Sequence, residues 1–221
     1  MDLNKIYNMD CLKGLKQIED NSIDLVFTDP PYNAGKDYGT YKDNLSEKEY
    51  KRWMKQIVKE CKRVSDNNIA FYVGHKVLRL FWELIPDAYL VVVHKRATGS
   101  FTKFYFHQYF GLLTTKNPVK RIYNVWNDVR LTSEGYYFKE KRYPNPGLTS
   151  ESLTNKIIKS YTNKNDIVLD PFMGTGTTGI VCKRLKRSYI GFELNSDYVK
   201  IANNRILNTA EHIGKWTDGL K

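Results

Sequence analysis

The sequence predicts an α/β protein built on a mostly parallel sheet covered by helices on both faces. Three observations carry that prediction. Short apolar runs alternate with helical patterns along most of the chain. Runs such as Ile69-Ala70-Phe71-Tyr72-Val73 are apolar at every position, as in strands buried on both faces. One strand, Val168-Leu169-Asp170, opens directly into a Gly-rich turn and a helix. The 221 residues fit one core, or one core with a small insertion.

In chain order, Leu3 to Asn8 reads as a short strand leading to Asp10, followed by a helical stripe of Leu12, Leu15 and Ile18. Residues 23–28 form a buried strand that delivers Asp29-Pro30-Pro31-Tyr32 to its carboxyl end. Residues 33–45, rich in Gly, Asp, Asn and Tyr, read as a loop, and beside a ligand site such a loop serves as a lid. Ser46-Glu47-Lys48-Glu49 is a capping box, a Ser N-cap with Glu three residues on. Its helix carries Tyr50, Trp53, Met54, Ile57, Val58 and Cys61 at helical spacing, which assigns them to the core. A strand at Ile69–Val73, a helix from about His75 to Ile85 and a strand at Tyr89–Val93 follow.

Regularity then fails. Between about 95 and 147 the chain is aromatic and basic, with core strands expected at Tyr109 to Thr115 and Tyr123 to Val129 and the remainder an insertion on the binding edge. Ordered alternation resumes with a helix from Thr149 or Ser150, a strand at Asp166–Leu169, a Gly-rich loop and helix, a strand at Ser188–Phe192 and a last helix through Tyr198, Ile201 and Ile206. The expected divisions are 1–94, 95–147, 148–210 and a loosely held tail, 211–221.

Composition narrows the function classes. No apolar run approaches the roughly 20 residues of a membrane span, and the first residues lack the apolar core of a signal peptide. Cys11, Cys61 and Cys182 are widely spaced and form no CxxC pair, which argues against zinc and disulfides and points to a reducing cytoplasm. The four histidines are isolated, so no metal is expected. Net charge is +11 with a pI near 9.4, which favours a polyanionic partner. The excess is concentrated. Lys95, Arg96, Lys103, Lys116, Lys120, Arg121, Arg130, Lys139, Lys141 and Arg142 face only Asp128, Glu134 and Glu140 in under a quarter of the chain. Basic residues interleaved with aromatics suit phosphate contact and base stacking; an amphipathic hairpin with buried rings and solvated lysines reads the same pattern without a ligand.

Two motifs carry chemistry. In Asp29-Pro30-Pro31-Tyr32, the Asp29 carboxylate and the Pro30 carbonyl are neighbouring acceptors able to hold both hydrogens of one NH2 group. The prolines stiffen the loop, and Tyr32 offers a flat face for a ring. A turn closing a strand accounts for the same residues structurally. The second motif runs from Val168 to Gly179, where Gly174, Gly176 and Gly179 match G-x-G-x-x-G and Glu193 ends the next strand. Read literally it predicts a nicotinamide dinucleotide site. Against that reading, Asp170-Pro171-Phe172 displaces the tight turn, Asp170 puts negative charge near a pyrophosphate, and only 28 residues follow Glu193. An acidic strand end suits a cationic ligand with ribose hydroxyls and no phosphate, as in S-adenosylmethionine.

Together, Asp29-Pro30-Pro31-Tyr32, Asp170-Pro171-Phe172-Met173-Gly174-Thr175-Gly176-Thr177-Thr178 and Gly191-Phe192-Glu193-Leu194-Asn195 followed by Tyr198-Val199 resemble the amino-methylating DNA methyltransferases, in the motif order of their permuted beta group. The resemblance covers residues 3–93 and 149–207. It implies a Rossmann-like, seven-stranded, S-adenosylmethionine-dependent fold with adjacent cofactor and catalytic strands. It also implies a cofactor site of Asp170, Pro171, Phe172, Gly174, Thr175, Gly176 and Thr177, with Glu193 on the ribose, Asp10 on the adenine and Asp29 at the edge. Asp29, Pro30, Pro31 and Tyr32 would hold the target base. Where many relatives carry His-Pro-Thr-Gln/Glu-Lys-Pro, this chain reads Tyr143-Pro144-Asn145-Pro146-Gly147-Leu148-Thr149-Ser150-Glu151, which leaves Thr149 and Ser150 as candidates for the cofactor's methionine end.

The implied reaction is methylation of adenine N6 in double-stranded DNA with the base flipped from the stack. Asp at the first position favours adenine within the resemblance. Cytosine N4 and an RNA base remain open, and a nicotinamide oxidoreductase and a non-catalytic DNA-binding module are readings of other classes. The implied setting is the cytoplasm, on the nucleoid. A homodimer and a companion restriction endonuclease are partners the sequence leaves open.

Overall fold

The computed structural model describes residues 1–41, 43–96, 107–119, 123, 125–126 and 149–209. Among them, eight strands form one sheet: β1 (Lys5–Asn8), β2 (Leu25–Thr28), β3 (Ile69–Gly74), β4 (Tyr89–Arg96), β5 (His107–Thr114), β6 (Val125–Trp126), β7 (Ile167–Asp170) and β8 (Ser188–Glu193). Their spatial order is β1-β8-β7-β2-β3-β5-β4-β6. The seven strands implied by family resemblance are exceeded by β6, a two-residue edge pairing Val92 with Val125 and Val93 with Trp126. Burial of the Trp126 ring, 1% exposed, holds that edge in place.

All neighbours are parallel except β5, which runs antiparallel to both β3 and β4. β4 therefore runs parallel to β3 and ends on the sheet edge from which Asp29 leaves β2. The chain moves outward in opposite directions from the central pair, β2 to β3 and β7 to β8. That makes β7/β2 a topological switch point, with a crevice at its carboxyl edge. The β7–β2 register (Leu25 with Val168, Val26 with Leu169) sets Asp170 level with Phe27, two residues before Asp29, so both acids reach the same edge.

Alternate strand residues fill two cores. Leu25, Phe27, Ala70 and Tyr72 pack with α4 (Glu151–Tyr161), α5 (Thr177–Leu185) and α6 (Ser196–Leu207). Val26, Ile69, Phe71 and Val73 pack with α1 (Cys11–Leu15), α2 (Glu47–Val64) and α3 (Leu78–Leu84). α2 starts as its capping box dictates: Ser46 Oγ accepts from the Glu49 amide at 3.3 Å and Glu49 Oε2 accepts from the Ser46 amide at 3.1 Å. α1 stops short of the stripe that predicts it. Lys16 closes the helix and Ile18 reaches the core from the turn that follows. α3 begins at Leu78 because residues after Gly74 first make a turn, with the Val77 amide on the Gly74 carbonyl at 3.1 Å. Among the described residues no helix is long and apolar enough to cross a membrane. The predicted tail, 211–221, lies outside the described residues.

Candidate active site

The crevice at the switch point is braced from below. Thr28, the last residue of β2, donates its hydroxyl to Asp170 Oδ1 at 2.9 Å. The Phe172 amide donates to the same oxygen at 3.0 Å, and the Thr178 hydroxyl donates to Oδ2 at 2.5 Å. Asp170 is 4% exposed, and burial pushes its carboxyl up to about 6, against the pull of these donors. The expectation that Asp170 faces a cationic ligand is thus modified. It borders the cavity, but both oxygens are committed to the ends of β2, its own loop and α5.

Above the brace, Asp29 carries a donor on each carboxylate oxygen. The Tyr32 hydroxyl donates to Oδ1 and the Thr149 hydroxyl donates to Oδ2 at 2.6 Å. Tyr32 also reaches the Tyr72 carbonyl at 3.2 Å, and Gly74 leaves room for its ring, since a Cβ there would stand 3.3 Å from Tyr32 Cε2. Burial, and then the Asp29 carboxylate, raise the Tyr32 phenol well above its usual range, so it stays a donor. Tyr50 from α2 donates to the Pro31 carbonyl at 2.7 Å. The chain then turns through Asn33 at φ 55°. The buried Asp43 carboxylate accepts from the Asn33 and Ala34 amides, both at 2.8 Å. At its far side the same loop meets α6, where Asn195 Nδ2 donates to the Tyr38 carbonyl at 2.9 Å.

The Gly-rich turn is shaped by packing. Gly174 sits at φ 53°, and its amide donates to Glu193 Oε2 at 2.8 Å, while Oε1 accepts from the Asn195 amide at 2.8 Å. These amides leave the Glu193 carboxylate acceptor capacity, and burial raises the carboxyl above its ordinary value. Gly176, the N-cap of α5 at φ 86°, lies where a Cβ would come within 2.8 Å of Ala202 Cβ. Close approach to α6, rather than to a phosphate, is what this glycine permits. Thr175 is engaged by Arg205 through its carbonyl at 2.6 Å and its hydroxyl at 3.0 Å. The buried Thr177 Oγ1 has no hydrogen-bond partner among the described residues.

These parts surround one cavity of about 540 Å³, inside the range of small-ligand sites. Asp10, Asp29, Pro30, Pro31, Tyr32, Thr149, Asp170, Pro171, Phe172, Gly174, Thr175, Thr177 and Glu193 all line it. Gly176 and Ser150 stand outside the lining: Gly176 caps α5, and Ser150 caps α4, accepting from the Leu153 amide at 3.5 Å. Asp10 doubles as the N-cap of α1, accepting from the Lys13 amide at 3.0 Å. Of the residues proposed for nucleic-acid contact, Lys95 and Arg96 end β4 on the cavity's edge of the sheet. Lys116 follows β5 at the opposite edge, paired with Asp66 at 2.9 Å, so the antiparallel turn of β5 removes it from the group. Lys103, Lys120, Arg121, Arg130, Lys139, Lys141 and Arg142 lie outside the described residues.

Sequence reasoning missed one wall. Trp53, assigned to the core by its spacing, is half-buried and lines the cavity, its ring edge-on to Phe172 with centroids 5.7 Å apart. Tyr41 stands 5.5 Å from Trp53 and Tyr38 6.4 Å from Tyr41, which makes an aromatic wall from the loop to α2. The density of tyrosines in residues 33–45 was the available signal.

The cavity suits S-adenosylmethionine. It offers Glu193 lone pairs for ribose hydroxyls, an unpaired Thr177 hydroxyl, aromatic walls at Phe172 and Trp53, and carboxylates rather than a phosphate cradle. Comparison with known proteins bears this out. The profile of the DNA methylase family, the N6- and N4-methyltransferases, matches residues 23–77 and 93–204. Type II methyltransferase M.HpaI of Haemophilus parainfluenzae is 32% identical over 88% of this chain and 71% of its own length. DNA adenine methyltransferase YhdJ of Escherichia coli (strain K12) is 28% identical over 94% of this chain and 83% of its own. Among solved structures, the M1.HpyAVI–SAM complex superposes with a TM-score of 0.67 at 22% identity, covering 92% of this chain and 98% of that one. The cytosine-N4-specific PvuII DNA methyltransferase superposes with a TM-score of 0.69 at 20% identity, covering 94% and 88%. The chain therefore belongs to the DNA methylase family, the S-adenosylmethionine-dependent DNA methyltransferases that act on exocyclic base amines.

Proposed function

We propose that this protein methylates the N6 amine of an adenine flipped out of double-stranded DNA at a specific site. The observation that carries the reading is the shared cavity: Asp29 and Pro30 border the same space as Glu193 and the Gly-rich turn. S-adenosylmethionine supplies the electrophilic methyl group. Glu193, through its remaining lone pairs, holds the ribose hydroxyls, Phe172 and Trp53 flank the adenine, and Asp10 approaches its edge. On the substrate side, Asp29 and the Pro30 carbonyl accept the two amine hydrogens. An exocyclic amine is a weak nucleophile because its lone pair is delocalised into the ring. Holding both hydrogens favours a pyramidal nitrogen, and the Asp29 charge favours the positive charge that builds on it. Tyr32 stacks on the flipped base.

Adenine is favoured over cytosine by Asp at the first position of the tetrapeptide and by the description of YhdJ as an adenine methyltransferase. Lys95 and Arg96, which end β4 at the cavity's edge of the sheet, begin the DNA-contacting segment of this reading. The Type II description of M.HpaI extends the reading to a companion restriction endonuclease, and a homodimer would lengthen the recognition surface that residues 95–147 provide.

The test is transfer of labelled methyl from S-adenosylmethionine to mixed-sequence duplex DNA, digested to nucleosides for mass analysis. N6-methyldeoxyadenosine is expected. N4-methyldeoxycytidine would move the target to cytosine, and no transfer to DNA would overturn the substrate class. Asp29→Ala should lower the transfer rate by about 10²–10³-fold while cofactor affinity stays within threefold; full activity in that variant would sink the assignment.

A further inference from the structure

We propose that Thr149 is a positioning residue for methyl transfer, its hydroxyl holding the Asp29 carboxylate in the orientation that receives the target amine. The inference rests on the reading of Asp29 as amine acceptor. By position Thr149 was a candidate for the cofactor's methionine end, yet its hydroxyl points at Asp29, donating to Oδ2 at 2.6 Å across 120 residues of sequence.

The Tyr32 and Thr149 hydroxyls both donate to Asp29, and they are not equivalent. Tyr32 has a second acceptor in the Tyr72 carbonyl at 3.2 Å, so its ring can shift toward a base without stranding its hydroxyl. Thr149 is carried by a fixed frame. The next residue, Ser150, is the N-cap of α4. The residue after that, Glu151, accepts from Arg184 at 2.5 Å and from the buried Arg205 at 3.2 Å. Arg205 in turn donates to the Thr175 carbonyl at 2.6 Å, inside the cofactor loop. Three consecutive residues thus connect the acceptor carboxylate to the loop that holds the methyl donor. A hydroxyl fixed to the cofactor side and bonded to one Asp29 oxygen sets the plane and direction of the carboxylate.

The test compares wild type with Thr149→Val, which keeps the shape and removes the donor, and Thr149→Ser, which keeps the donor. Single-turnover methylation at saturating cofactor and DNA reads the transfer step, and a titration reads the cofactor dissociation constant. Thr149→Val is expected to slow transfer about 10–100-fold, the worth of a hydrogen bond to a charged group, with cofactor affinity within twofold. Thr149→Ser is expected within about threefold of wild type. Weakened cofactor binding with the saturated rate intact would assign Thr149 to the cofactor and overturn the inference. So would equal slowing in both variants, which would mean packing, or no change in either. A wild type that transfers no methyl to DNA would instead overturn the reading of Asp29, a failure recognisable before any variant is made.

Discussion

Replacing Asp170 with Asn should stabilise the protein, although the residue sits at the centre of its best-defined motif. Burial pushes the Asp170 carboxyl from 3.8 up to about 6. Because the folded value lies above the unfolded one, the native state holds this proton more tightly than the unfolded chain does. The resulting stabilisation is complete below about pH 4 and is lost as the pH rises through about 6. A shift of about two units corresponds to roughly 3 kcal/mol, so the ionised carboxylate costs the native state that much at neutral pH. Asn keeps an oxygen for Thr28 and Phe172 and presents an amide to Thr178, whose hydroxyl turns to accept; reversing that bond costs about 1 kcal/mol. The net gain at pH 8 is about 2 kcal/mol, or roughly 4–8 °C in Tm for a chain of this size. Thermal unfolding of both proteins from pH 4.5 to 8 is the assay, and only the difference between them matters, since other carboxylates titrate alike in each. The gap should widen up to about pH 6 and level off above it. A gap independent of pH, or an Asn variant less stable at pH 8, would refute the reasoning. Cofactor affinity should stay within threefold; a tenfold loss in a folded variant would make Asp170 a ligand contact after all.

Two further outcomes follow from packing. Gly176→Ala places a Cβ 2.8 Å from Ala202 Cβ at φ 86°, and left-handed strain plus overpacking should destabilise the protein by about 2–4 kcal/mol in urea unfolding; a variant within 0.5 kcal/mol of wild type would mean that α6 yields readily. Trp53→Ala removes the edge-on contact to Phe172 and opens one wall of the cavity, so S-adenosylmethionine should bind about tenfold more weakly by calorimetry; unchanged affinity would leave Trp53 as packing alone.

The alternation of apolar runs and helical stripes is enough to read the sheet outside residues 95–147, and within them the strand expected over Tyr123 to Val129 is described as the two-residue edge Val125–Trp126. Strand direction is not legible in the same way. A buried strand is apolar whichever way it runs, so nothing in Tyr109–Leu113 announces that β5 is antiparallel, and Lys116 stands at the edge opposite Lys95 and Arg96 for that reason. The motifs locate the site, because strand ends beside a switch point converge whatever the intervening chain does. Their internal division of labour is less visible. Asp170 and Glu193 are both acids at strand ends, but only the surroundings show that one is fully buried beneath two hydroxyls and an amide while the other, half-buried at the cavity wall, accepts backbone amides. Trp53 has the spacing of a core residue, and helical periodicity cannot tell a ring that faces a core from one that faces a cavity beside it.

The direction of β5 has a consequence for how such an enzyme can diversify. β4 ends, β5 begins and β6 ends on the edge that carries Asp29, and the chain returns to that edge at Thr149. The stretches 97–106 and 127–148 are therefore both spliced into the frame at one rim, with their described ends set by strand pairing and by the start of α4. The registers that join β2, β7 and β8, and with them the placement of Asp29 and Glu193, are set by pairs on the other side of the sheet. Such a layout keeps the grammar of the reaction on one side of the sheet and leaves this rim as the place where, on the function proposed above, the vocabulary of the target is written.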